Sequence, residues 1–311
     1  MIKASVIICT YNPDNEILGR VLTALRNQSF EQTYWELIII DNNSSFPIPI
    51  IDNINWHPNF QKKTEKKPGL VHARIAGFKI ATPGSLIVFV DDDNILRPDY
   101  LKICVEFAIS QPNVGCFGGK SIPSYATPPS VWFRDTGINL GCQDLGDQLF
   151  ISQYRLHHHV IKQYPEKSPI GTGMAVTYHA FAAYVNALTN QKLSLGRKGA
   201  DLTSGEDNDI VLTVIKSGFE IAYLPLLVVD HVIPEYRYQL NYLQKMAYKS
   251  NISWIKLLEM HQINPHRKIQ RWTLPIRKAR AWFRQRAWKS EVNYIKWKGA
   301  CGVFQALSEL K

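Results

Sequence analysis

Leu86-Ile87-Val88-Phe89-Val90-Asp91-Asp92-Asp93 is the stretch on which the fold turns. Five consecutive Leu, Ile, Val and Phe residues predict a strand that is apolar on both faces, as in a parallel sheet covered by helices on each side. The three carboxylates then emerge where that strand leaves the sheet. Adjacent negative charges raise one another's pKa unless a cation sits among them. A hard divalent ion such as Mg²⁺ or Mn²⁺ suits such oxygen ligands. A solvated acidic turn is the plainer alternative, and the neighbouring segments weigh against it.

Upstream, Ala4 to Cys9 is a β-branched run broken by Thr10-Tyr11-Asn12-Pro13. Ile17, Leu18, Val21, Leu22 and Leu25 follow helical spacing, with Asp14 or Asn15 as N-cap. Leu37 to Ile40 is a second buried strand, and it too ends on a carboxylate, Asp41. Residues 46–67 favour neither helix nor strand, apart from a short strand expected near Ile54. Pro68-Gly69 opens a third periodic segment, with Leu70, Ala73, Gly77, Phe78 and Ala81 on one face, and Pro83-Gly84 stops it. A helix is expected from Pro98 to Ser110. This alternation predicts an α/β fold with a Rossmann-type, mainly parallel sheet flanked by helices. Ligands of such sheets bind beyond the carboxyl ends of the strands, where Thr10, Asp41 and Asp91 to Asp93 fall. Neither G-x-G-x-x-G nor G-x-x-x-x-G-K-[ST] follows the first strand.

The segments Ser5-Val6-Ile7-Ile8-Cys9-Thr10-Tyr11-Asn12, Ile40-Asp41-Asn42-Asn43-Ser44, Gly69-Leu70-Val71-His72-Ala73-Arg74 and Val90-Asp91-Asp92-Asp93 resemble, in this order, the signatures of family 2 glycosyltransferases. The resemblance implies a GT-A fold and a transferase that uses a nucleoside-diphosphate sugar with a divalent cation, usually with inversion. It places Thr10, Tyr11 and Asn12 along the nucleoside, Asp41 on the base and Arg74 near the diphosphate. Asp91 and Asp93 become the D-x-D pair, the first near the ribose and the second on the metal, with Asp92 between them. A UDP-sugar is the favoured donor.

In the second half, Ser204-Gly205-Glu206-Asp207-Asn208-Asp209 precedes Ile210, Val211, Val214 and Ile215 at helical spacing. First-turn acids are favoured by the helix macrodipole, which is reason enough for them to stand there. The segment also resembles the family's G-E-D motif beside the acceptor site, which makes Asp207 the general base and Glu206 its assistant, with Asp209 the rival base. His231 follows the run Leu226-Leu227-Val228-Val229-Asp230, where an apolar strand ends, and, by the same resemblance, is expected as a third metal ligand beside Asp91 and Asp93. Arg237 reads equally as a diphosphate contact or a surface charge. Pro169 to Met174 reads as a Gly-rich turn lining the sugar or acceptor pocket. His157-His158-His159, taken as part of a strand, cannot converge on one ion because neighbours alternate faces.

Of the 311 residues, 36 Lys and Arg oppose 26 Asp and Glu, for a net charge of +10. Between His266 and Lys298 stand eleven Lys and Arg against Glu291 alone, interleaved with four tryptophans, so this segment carries the whole excess. Such a mixture suits an anionic membrane surface, nucleic acid, or simple packing of a solvated helix. No apolar run nears the roughly 20 residues of a spanning helix, and Met1-Ile2-Lys3 leads straight into the first strand, leaving no space for a signal peptide. Five scattered cysteines without a CxxC pair suggest free thiols in a reducing cytoplasm. The expectation is therefore a GT-A-like catalytic domain over 1–260 and a basic, Trp-rich helical extension over 261–311. Its function would be metal-assisted transfer of a sugar to a hydroxyl of a glycan or lipid-linked glycan, in the cytoplasm or on the inner membrane face. A sugar nucleotidyltransferase and a non-catalytic nucleic-acid-binding protein are the alternatives, and the second leaves the acidic crevice unexplained.

Overall fold

In the computed structural model, residues 1–190 and 205–310 are described; Ser204 of the S-G-E-D segment lies outside them. In chain order the first half runs β1 (Ala4–Thr10), α1 (Asn15–Arg26), β2 (Trp35–Asp41), α2 (Pro49–Asp52), β3 (Phe60–Thr64), α3 (Leu70–Phe78), β4 (Leu86–Asp91), β5 (Asn94–Leu96), α4 (Tyr100–Ser110) and β6 (Val114–Tyr125). The second runs α5 (Val131–Arg134), β7 (Phe150–Ile151), β8 (Ala175–Val176), α6 (Tyr178–Asn190), α7 (Glu206–Lys216), β9 (Glu220–Ile233), α8 (Leu240–Met260), α9 (Leu274–Gln285) and α10 (Glu291–Glu309).

The strands form one sheet in the order β3-β2-β1-β4-β8-β6-β9-β5, with β7 also on β9. β3, β2, β1 and β4 are mutually parallel, and β6 and β9 are parallel to each other. β8 runs against both β4 and β6, so those two share one direction and six strands point the same way. Alternation on the strands divides the core. Val6, Ile8, Leu37, Ile39, Val88 and Val90 face one side, packed with Leu18, Val21 and Leu22 of α1 and Leu101 and Cys104 of α4. Ile7, Ile38, Ile40, Ile87 and Phe89 face the other, with residues of α3, α6 and α7. The two-faced apolar runs read from the sequence thus arise because helices cover both faces.

Local signals placed the helices well. Asp14 caps α1, accepting from the backbone N–H groups of Glu16 and Ile17 at 2.9 and 3.2 Å. Gly77 lets α3 lie on the sheet, since a Cβ there would stand 2.5 Å from Ile7 Cγ2. Two expectations need correction. The strand expected near Ile54 lies at Phe60–Thr64, where an edge strand with exposed Lys62 and Lys63 shows no apolar alternation. His158 and His159 lie in a turn, at φ 50° and 56°, rather than on a strand.

The basic C-terminal segment is helical and packs on the body. Ile295 of α10 shares a cluster with Leu243 and Ala247 of α8, and Ala306 and Leu307 share one with Ile255. Two glycines permit the close approach, since a Cβ on Gly302 would overlap the Tyr248 carbonyl and one on Gly299 would stand 3.2 Å from Asn251 Nδ2. All five cysteines are free. No described helix is long and apolar enough to cross a membrane. Gly302→Ala should lower stability by about 1–3 kcal/mol by forcing the helices apart, read as a shift of the urea midpoint; an unchanged midpoint would mean that α10 is not seated on α8.

Candidate active site

Register brings three strand ends level. Cys9 pairs with Asp91 and Thr10 with Asp41, so the ends of β1, β2 and β4 open on one crevice. The Thr10 hydroxyl donates to Asp92 Oδ2. Asp41 Oδ1 accepts from the Ser44 N–H at 2.9 Å. Asn12, at φ 49°, donates its N–H to Ser44 Oγ at 2.9 Å and accepts from the Ser45 N–H at 2.8 Å, which ties the loop after β1 to that after β2. Tyr11 beside it is exposed. Asn42 is buried and bridges three backbone groups. Its Nδ2 donates to the carbonyls of Glu65 and Lys67, and its Oδ1 accepts from the Gly69 N–H that leads into α3.

That brace delivers Arg74. The side chain is buried, lies 4.9 Å from the Phe89 ring centre, and reaches Glu206 Oε1 at 3.2 Å and Asp91 Oδ1 at 3.7 Å. Burial works against its charge, but Glu206 and then Asp91 outweigh it and hold the pKa above the ordinary arginine value. Glu206, expected at the acceptor, is thus buried against Arg74.

Antiparallel pairing of β5 with β9 sets Asn94 opposite His231, and the Val232 N–H donates to the Asp93 carbonyl at 2.9 Å. Two side chains 138 residues apart thereby meet: His231 Nε2 lies 3.3 Å from Asp93 Oδ2. Arg237 Nη1 donates to the same oxygen at 3.0 Å and is largely buried, so it is neither a plain surface charge nor remote from the crevice. Burial alone would depress the His231 imidazolium; the hydrogen bonds with Asp93 and Cys142 outweigh it, and the pKa is pushed up to about 9 although Arg237 opposes this. Asp92 is pushed up to about 7 by burial and then by the Asp93 charge, against the Thr10 hydrogen bond.

Among the described residues no three His, Cys, Asp or Glu side chains gather closely enough to cage a metal ion. Asp91 Oδ1 lies 3.7 Å from Arg74 Nη2, and Asp93 Oδ2 lies 3.3 Å from His231 Nε2. Asp93 Oδ2 and His231 Nε2 touch each other and Arg237 at this point, yet a carboxylate oxygen and an imidazole nitrogen are donors that suit Mg²⁺ or Mn²⁺, ions that commonly take one or two protein ligands with the rest from phosphates and water.

Across the crevice Asp207 sits in the first turn of α7, after Gly205 at φ 115°. Its Oδ2 accepts from the Gly171 N–H at 3.0 Å. Gly171 separates Asp207 from Arg74, since a Cβ there would lie within 3.5 Å of both, so the turn read at Pro169 to Met174 runs beside the site. The rival base, Asp209, is buried and lies 2.7 Å from His261 Nε2, which engages it on the α8 side of α7. Sequence reasoning missed that partner, and also Asn42 as a brace and Cys142 at 3.7 Å from His231 Nδ1. Only Asn42 had a local signal, its place in the D-N-N-S segment.

A twisted, mostly parallel sheet with an aspartate cluster at the carboxyl end of a central strand and a carboxylate-led helix facing it defines a GT-A-like glycosyltransferase. The chain belongs to glycosyl transferase family 2, whose model matches residues 5–174. Family membership favours the transferase over the nucleotidyltransferase alternative. TarS of S. aureus, residues 1–349, superposes with a TM-score of 0.52 at 15% identity over 98% of this chain and 90% of that one. The same protein in complex with UDP-GlcNAc gives 0.50 at 14% identity, over 98% and 90%. These identities speak for the fold. A curated mouse protein, inactive polypeptide N-acetylgalactosaminyltransferase-like protein 5, is 24% identical over 237 residues, 71% of this chain. The chain spans 51% of that relative's length.

Unfolded Asp92 titrates near the usual aspartate value of about 4, whereas the folded state keeps its proton to about 7. The folded form therefore binds the extra proton between those values, and the stability due to Asp92 falls as pH rises through the window. Asp92→Asn should accordingly gain in melting temperature on the wild type as pH rises from about 4 to 7, measured with chelator present; a gap independent of pH would contradict the burial of this charge.

Proposed function

We propose that the protein transfers a sugar from a nucleoside-diphosphate sugar, with UDP-sugars favoured, to a hydroxyl of a glycan or lipid-linked glycan, with inversion. The observation that carries this reading is the meeting of Thr10, Asp41 and Asp91 to Asp93 at level strand ends, with Arg74 between them and the carboxylates of α7. Thr10, Tyr11, Asn12 and Asp41 line the nucleoside side, and Asp91 receives the ribose. The complex of TarS with UDP-GlcNAc supports a uridine donor by analogy of fold.

Asp93 and His231 would hold Mg²⁺ or Mn²⁺, with Asp91 oriented by Arg74 toward the donor. When bound, such an ion supplies positive charge where the departing diphosphate gains negative charge. His231 must lose its proton to serve as a ligand, and its raised pKa makes binding proton-linked. Arg237, freed from Asp93, and Arg74 supply further charge to the diphosphate. Asp207 takes the proton of the acceptor hydroxyl as it attacks the anomeric carbon from the face opposite the leaving group, and the Gly171 N–H keeps its carboxylate oriented. Glu206 keeps Arg74 in place and borders the acceptor side. The free cysteines suit a cytoplasmic enzyme.

Thermal unfolding against UDP, GDP, CDP and ATP, with and without Mn²⁺, tests the donor. Saturation to a hundredfold over the dissociation constant should add about 2.7 kcal/mol, for UDP above the others, in a metal-dependent way lost in Asp93→Ala. No shift with any nucleotide in a folded sample would overturn the reading. Asp207→Asn should keep the nucleotide response while turnover of a UDP-sugar falls by roughly 10²- to 10⁴-fold; full activity in that variant would remove Asp207 as the base.

A further inference from the structure

We infer that the outer face of α9 docks on an anionic lipid bilayer. The helix and the turn that leads into it show an apolar stripe away from the protein: Trp272 before the helix and Ile276 and Phe283 on it are 73, 51 and 68% exposed, with Ala279 between the last two. Trp288, just past the helix, adds a fourth large side chain and lies 5.8 Å from Phe283 between ring centres. These groups are not a packing face waiting for the body, because the inner side of α9 is already satisfied. Ala281 is buried, Trp282 packs edge-on against Trp297 at 4.8 Å, and the Trp297 indole N–H donates to the Lys278 carbonyl at 3.0 Å. A surface helix normally shows charge outward and apolar groups inward, so an apolar stripe on the solvent side marks an interaction surface.

The charges beside the stripe name the occupant. Arg277, Arg280 and Arg284 flank it and are exposed, and no Asp or Glu occurs between Glu259 and Glu291. A helix with Trp, Ile and Phe along one line and arginines at its sides lies in the plane of a membrane interface, with the rings and aliphatic carbons at headgroup depth and the guanidinium groups among the phosphates. Nucleic acid would use the same arginines, but Ile276 and Ala279 in the middle of the stripe offer a base nothing to stack on. The inference is independent of the transferase chemistry. It also bears on it, because α10 carries α9 and packs on α8, the helix that follows Arg237 in the chain. The docking face is therefore joined to the site through packed helices rather than through a loose tail.

The test is co-sedimentation of the full chain with vesicles of phosphatidylcholine alone and with one third phosphatidylglycerol, at low and high salt. Binding should require the anionic lipid and weaken with salt. Arg277→Gln, Arg280→Gln and Arg284→Gln together should weaken it about a hundredfold, at roughly fivefold for each charge. Ile276→Ser with Phe283→Ser should weaken it with all charges kept, and both variants should hold the wild-type unfolding midpoint and nucleotide response. Failure to sediment with anionic vesicles at low salt would overturn the proposal. So would equal binding to neutral vesicles, or full binding by the Ile276→Ser, Phe283→Ser variant together with displacement by a short single-stranded oligonucleotide.

Discussion

A guanidinium out of water between two carboxylates organises the crevice. Arg74 stands on α3, Asp91 ends β4 and Glu206 begins α7, so one buried cation ties the carboxyl end of β4 to the helix that carries Asp207. Removing one partner of such a group leaves an uncompensated buried charge, which is costly by about 3–5 kcal/mol. The surroundings are built accordingly. Asn42 fixes the entry to α3, Phe89 offers its ring face to the cation, and Gly171 leaves room where Arg74 and Asp207 approach from either side.

The same charge balance explains the second cluster. Asp91, Asp92 and Asp93 in succession demand cations, and the fold supplies Arg74 at one end and His231 with Arg237 at the other. Asp92, in the middle, accepts from the Thr10 hydroxyl, and burial and the adjacent Asp93 charge raise its pKa against that hydrogen bond. The raised pKa of His231 has the same origin, since its proton does the work of a cation beside Asp93.

Much of the candidate site is legible in the sequence because its residues sit at strand ends, where an apolar run stops and a carboxylate follows. Thr10, Asp41 and Asp91 were legible for that reason, and register then set them side by side. The second half was harder. Asp207 and Asp209 both stand in the first turn of α7 and spacing alone does not rank them; in the fold Asp209 lies against His261, at the end of α8, and Asp207 against the Gly171 N–H. Arg237 was equally ambiguous, since nothing local distinguishes a surface arginine from one buried against Asp93. β3 was misplaced because an edge strand with Lys62 and Lys63 facing solvent lacks the apolar period.

What the sequence by itself determined were the properties that depend on near neighbours: the buried parallel strands, the Asp14 cap, the carboxylates at strand ends, and the basic charge gathered near the C-terminus. Tertiary structure alone decided which charges meet. Asp93 and His231 are joined by an antiparallel pairing across 138 residues, and which tryptophans of the basic segment turn inward depends on α10 lying against α8 and α9. Local pattern records what each residue prefers, whereas a buried ion pair or an exposed stripe is set by which surfaces remain after the sheet and its helices have packed.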